Sequence, residues 1–272
     1  MKKIDSISTA FLPLAVAGFG IIQLVQQDFF KGPFQFPGIW QGRAIAVNAF
    51  GVYLLACGGM MAITSLASWG YRAASCLFGL VFVYPRFFLL LGHPYDGSEW
   101  TASMEVLSLA TGIYLVRPQS ELSNEKWDTC CRYLFAFCLV VFGIQHFQYE
   151  VYIVTLIPRW IPFPIFWTYV IRFGFLLAAF SLVFHLQQLR AMIWLAIMFL
   201  VWVSVLHLPR ALSKWSVESE WTSLLIALAI SGIAFQLARR FKSDAELYKP
   251  SRTAIRSGII HLVPRRVRKE GS

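Results

Sequence analysis

Ser98-Glu99-Trp100-Thr101 recurs unchanged as Ser219-Glu220-Trp221-Thr222, 121 residues further along the chain. Outward from that tetrapeptide the echo continues. Pro85-Arg86 returns as Pro209-Arg210 at a spacing of 124, and Phe19-Gly20-Ile21 as Phe142-Gly143-Ile144 at 123. Pro37-Gly38-Ile39-Trp40 is answered by Pro164-Ile165-Phe166-Trp167 at 127. Each match is short, but four in one order at near-constant spacing mark an internal duplication.

The duplicated material is strongly apolar. Of 272 residues, 57% are hydrophobic and 14% charged, with a mean hydropathy of +0.60. A soluble domain carries about 25% charge. The composition therefore excludes a soluble, disordered or nucleic-acid-binding protein, despite a net charge of +10. Five cysteines are too few for a disulfide scaffold. A spanning helix needs about 20 mostly apolar residues, and eight windows qualify: 9–29, 43–64, 70–92, 100–117, 129–148, 165–186, 190–212 and 221–239. The expected fold is all-α, a polytopic integral membrane protein of eight transmembrane helices arranged as two parallel four-helix repeats. The repeats cover 8–117 and 129–239, joined by the polar loop Arg117–Trp127, and 240–272 forms a basic tail.

Eight spans put both termini on one side. Lys2 and Lys3 begin the chain, and from Arg239 onward ten Lys and Arg face only Asp244, Glu246 and Glu270, which is +7 of the total. The positive-inside rule assigns both ends to the cytoplasm of a bacterial inner membrane, with the tail against anionic lipid headgroups. Residues 1–17 also resemble a signal peptide, but segment 9–29 has its counterpart in 129–148 and reads as a retained helix.

On the side away from the tail lie the connections 30–42, 93–99, 149–164 and 213–220, rich in proline. Trp40, Trp100, Trp160, Trp167, Trp215 and Trp221 crowd the same level, as an interfacial belt or as the roof of a pocket for a flat or lipidic molecule. Ser98 and Ser219 are positioned to cap their helices, with Glu99 and Glu220 facing the positive helix end. Arg86 and Arg210 fall inside apolar helices, where a charge seeks a partner. The expected pairs are Arg86 with Glu99 or Asp96, and Arg210 with Glu220 or Glu218; snorkelling to headgroups is the competing account.

Gln145-His146-Phe147-Gln148 closes the fifth span, and Gln23, Gln26 and Gln27 close the first. These groups suit a quinone carbonyl, or hydrogen bonds between helices. His146 and His207 lie at similar depth, yet two lone histidines are weak support for haem. Arg172 sits about a turn below Trp167, where it meets an anionic substrate group or Glu150. No Cys-x-x-Cys, phosphate-binding loop or acidic metal cluster occurs, so catalysis by the chain alone is not expected. The ligand candidates are His146, Gln145, Gln23, Trp167 and Arg172, at the outer ends of the first, third, fifth and sixth spans.

Phe142-Gly143-Ile144-Gln145-His146-Phe147, followed by Ile157-Pro158-Arg159-Trp160-Ile161-Pro162-Phe163-Pro164 and Phe166-Trp167, resembles the DoxX and DoxX-like family of small four-helix membrane proteins. The match covers about 140–186. The first half keeps Phe19-Gly20-Ile21 and Pro37 to Trp40 but has Gln23 in place of His146 and lacks the Ile-Pro-x-Trp element. The resemblance implies functional weight at His146, Pro158, Trp160, Pro162 and Trp167; Arg172 falls where the family more often has a small residue. Some members are subunits of a thiosulfate:quinone oxidoreductase and others accompany membrane redox complexes. The implied role is an accessory, quinone-interacting subunit. The alternatives are a small-molecule or lipid transporter and a purely structural subunit of a larger assembly.

Overall fold

A computed structural model describes residues 2–29, 32–36, 44–118 and 124–247. Pro37, Trp40 and the tail from Lys249 to Lys269 lie outside the described residues, as do the side chains of Lys2 and Lys3. Every regular element among the described residues is a helix: α1 Lys2–Gln26, α2 Ala44–Ala62, α3 Ala67–Gly92, α4 Gly97–Val116, α5 Glu125–Gln148, α6 Glu150–Leu156, α7 Pro164–Phe184, α8 Gln188–Ser213 and α9 Glu218–Leu247. Among the described residues, seven helices (all but α4 and α6) are long and apolar enough to cross a membrane. Large apolar side chains such as Trp69, Phe88, Leu177, Phe180 and Trp194 face outward on them. This is the surface of a multi-pass membrane protein, whose solvent is hydrocarbon.

The expected fourth span, 100–117, corresponds to α4, which is less apolar than the seven because it begins with Ser98, Glu99 and Thr101 and carries Glu105. It does not face lipid: from Ala102 to Leu115 nearly every side chain is buried. α4 and α9 form the inside of the bundle, touching where Gly112 faces Ile233. Around them, α1 packs on α2 and α9, while α5 packs on α4 and α7.

Small residues set the tightest approaches. A Cβ on Gly58 would lie 2.6 Å from the backbone nitrogen of Ala17, and one on Gly20 would lie 2.5 Å from the carbonyl of Gly51. Without a hydrophobic drive between helices in lipid, such close backbone packing supplies the association energy.

α3 and α8 each contain one π-helical turn, Phe82–Arg86 and Val203–His207. Proline lacks an N–H and its ring collides with the carbonyl four residues back. The wide turn absorbs that conflict at Pro85 inside it and at Pro209 just beyond it, and each proline is followed by its arginine.

Several local expectations are corrected. Asp96, not Ser98, caps α4, accepting from the Ser98 backbone N–H at 2.8 Å. Ser219 lies inside the first turn of α9, which starts at Glu218. The connection 149–164 contains the helix α6, ended by Ile157, held extended by Pro158. α5 begins at Glu125, capped by Asn124. α9 runs to Leu247, so the start of the tail is helical and Arg240 donates to the carbonyl of Leu115.

Candidate functional site

The end of the bundle that carries Arg86, Asp96 and Glu220 is called the rim. Arg86 is sealed inside it, with Nη2 2.5 Å from Glu99 Oε2 and Nη1 donating to the Gly32 carbonyl at 2.9 Å. Arg210 grips Glu220 with two bonds, Nε to Oε2 at 2.8 Å and Nη2 to Oε1 at 2.7 Å, and Lys214 joins at 3.3 Å. Asp96 and Glu218 are not the partners. The bidentate geometry is the strong form of the pairing. Trp100 and Trp221 each donate their indole N–H at 2.9 Å to the carbonyl six residues earlier, Pro94 and Trp215. These two rings pin loops.

Beneath the rim, α4, α5, α6, α7, α8 and α9 line an open cavity of about 590 Å³. Its walls are mainly apolar, built from Phe142, Ile171, Phe175, Met198, Trp202 and Ile226. The polar groups that reach it are Thr101, Glu105, Gln145, His146 and His207, with Asp96, Ser98, Tyr149 and Tyr152 toward the rim. The Gln145 amide is held at Nε2, which donates to Gly97 O at 3.0 Å, while Oε1 lies 3.1 Å from Thr101 Oγ1, whose single proton is also within 2.9 Å reach of the Gly97 carbonyl. His146 Nδ1 lies 2.7 Å from the Phe142 carbonyl, so Nδ1 is the donor, and in the neutral ring Nε2 presents a lone pair. Its ring packs on Phe175 at 5.2 Å.

Gln145 and His146 therefore line one cavity, together with His207. The other ligand candidates do not. Trp167 stands behind the wall, edge-on to Trp202 at 6.5 Å, with its indole bonded to Pro162 O. Arg172 is buried and turned toward Glu150, braced by Thr168 Oγ1 at 3.0 Å and by the rings of Phe147 and Tyr169. It ties α6 down over the cavity. Gln23 belongs to the other half of the bundle, where its side chain is fully buried and both amide atoms lack a hydrogen-bond partner among the described residues.

The first and third helices supply no wall, contrary to the expected pocket position. In that half Phe34 from segment 32–36 fills the core, 5.3 Å from Phe19 and 5.7 Å from both Phe50 and Phe78. Arg86 holds the segment through Gly32.

Glu105 escaped the sequence reading. Its signal was available: a lone carboxylate inside the apolar run 102–116, of a kind that is costly in a bilayer and commonly functional. Outside the spanning segments, the hydroxyl and backbone N–H of Ser98 hold the Asp96 carboxyl below the usual carboxylate range. No group of three or more metal-ligating side chains occurs among the described residues. No family model, curated protein or solved structure matches the chain.

Proposed function

We propose that the chain is a DoxX-like protein of the bacterial inner membrane, built of eight spanning helices in two parallel four-helix repeats with both termini cytoplasmic. In this reading it is an accessory subunit that holds a quinone beside a membrane redox complex and performs no catalysis alone. The observation that carries it is the apolar cavity with Gln145 and His146 on its wall. A flat ring with a long tail matches such a space. The remaining N–H of Gln145 Nε2 suits a ring carbonyl, and His146 Nε2 suits the hydroxyl of the reduced form.

The repeat reading draws support from paired detail. A π turn contains Pro85-Arg86 and another lies just before Pro209-Arg210, two arginines meet the glutamates of the repeated Ser-Glu-Trp-Thr, and two indoles bond six residues back. α4 counts as the eighth span because it runs the same course: Gly97 lies by Gln145, and Arg117 pairs with Asp128 at the opposite end. Protein surrounds it, so it needs less apolar character than a lipid-facing helix.

The test is thermal unfolding of the purified protein in maltoside micelles with a short-chain benzoquinone. The midpoint rises for the native chain and stays put for His146→Ala; equal shifts in both, or none in either, end the quinone reading. Tyr95→Cys and Trp215→Cys, in a chain cleared of native cysteines, should label from the same membrane face. Labelling from opposite faces would remove the repeat.

A further inference from the structure

Glu105 projects from the inner helix α4 into the cavity, two turns below the capping Asp96. Among the described residues no hydrogen bond and no ion pair reaches its carboxylate; the cation whose field it feels is Arg86. That guanidinium is held by Glu99 and by the Gly32 carbonyl, its Nε has no hydrogen-bond partner among the described residues, and none of its nitrogens bonds Glu105. Among the described residues no Lys or Arg lines the cavity, and its other charged lining group, Asp96, is also acidic. The basic groups on its wall are two imidazoles, of which His146 presents an acceptor. An apolar chamber whose wall carries a carboxyl group and a ring nitrogen, with no Lys or Arg among its described lining residues, favours a ligand that brings its own positive charge and thereby holds that carboxyl ionised. The rings of Phe142, Tyr149, Phe175 and Trp202 on the same wall attract cations through their faces.

We infer that the inner part of this cavity binds the protonated head of an amphipathic amine, paired with Glu105 and hydrogen-bonded to His146, with the tail along Met198, Ile226 and Ile230. A charge-assisted bond in a low-dielectric site discriminates strongly against a neutral head of the same size. The inference shares the cavity and His146 with the quinone reading but rests on Glu105, which that reading does not use, and the quinone reading needs no charge on the ligand.

The experiment compares octylamine, 1-octanol and octanoate, which share a tail and differ in head charge, by calorimetric titration of the full chain in maltoside micelles near neutral pH. Octylamine binds at least about tenfold tighter than octanol, and octanoate does not bind. Glu105→Gln erases the octylamine preference and leaves octanol within about twofold. Asp96→Asn keeps the preference, because that carboxylate is at the mouth. Glu105→Asp, which retains the charge, keeps part of it and serves if Glu105→Gln does not fold. Equal binding of octylamine and octanol to the native chain overturns the inference, as does a preference that survives Glu105→Gln or is lost in Asp96→Asn. The benzoquinone shift measured on the same samples reports the quinone reading separately.

Discussion

Arg86 Nη2 lies 2.5 Å from Glu99 Oε2, and the arginine side chain has no exposed surface. A charge taken this far from water costs several kcal/mol, and only a close partner offsets it. The contact of Arg210 with Glu220 is bidentate where that of Arg86 reaches one carboxylate oxygen, and it leaves 30% of the arginine side chain exposed, so the two pairs differ in geometry and in energetic weight.

Glu99→Gln should destabilise the protein by about 3–5 kcal/mol, since it strands the Arg86 charge. Glu220→Gln should cost about 1 kcal/mol, because Arg210 can reach water. Chemical denaturation in mixed micelles measures both. In a double-mutant cycle, Arg86→Leu with Glu99→Leu should cost less than the two single changes added; strict additivity would mean the groups do not interact.

Gly58 and Gly59 are neighbours in sequence with opposite fates. Gly58→Ala places a methyl 2.7 Å from the Pro13 carbonyl, whereas the site at Gly59 has nothing within 4 Å. The first change should lose about 1–3 kcal/mol through forced separation of α1 and α2. Gly59→Ala should be neutral or gain up to about 1 kcal/mol. The sign of the difference in unfolding midpoint decides it.

Arg172→Ala should loosen the cover of the cavity without collapsing the bundle. The residue joins α7 to Glu150 at the start of α6, and α6 has no fully buried residue of its own. Amide hydrogen exchange over 150–156 should quicken by at least about tenfold, with the amides of α9 unchanged.

Asp96 titrates below its ordinary value of 3.8 because Ser98 donates to it. A lowered carboxylate pKa contributes stability that is present above the unfolded value and lost as the pH falls through the folded one. Ser98→Ala should move the Asp96 titration up toward 3.8, followed by carboxyl carbon NMR, and the native chain should retain its α4 cap to lower pH than the variant.

The arginines within apolar helices were legible because lipid makes a charge in an apolar run conspicuous. Pro85-Arg86 and Pro209-Arg210 announced themselves by that contrast, and their repetition beside Ser-Glu-Trp-Thr named the acids within reach. Which acid each one takes was not legible. Asp96 and Glu99 are three residues apart, and only the turn of α4 at the rim sends one to the cap and the other to Arg86. Trp202 carried no signal, since a tryptophan in an apolar helix looks the same whether it faces lipid or a chamber.

The chain alone determined that this is a helical membrane protein, because hydropathy over 20 residues is a local property that hydrocarbon reads directly. It also determined the paired motifs, which are a matter of order and spacing. The tertiary structure decided where there is room. The two halves of the chain meet different neighbours: Phe34 fills the space on one side, while α6, tied by Arg172, lies over it on the other and leaves Glu105 facing a cavity. Volume is set by side chains from six helices at once, and no window along a sequence contains that sum.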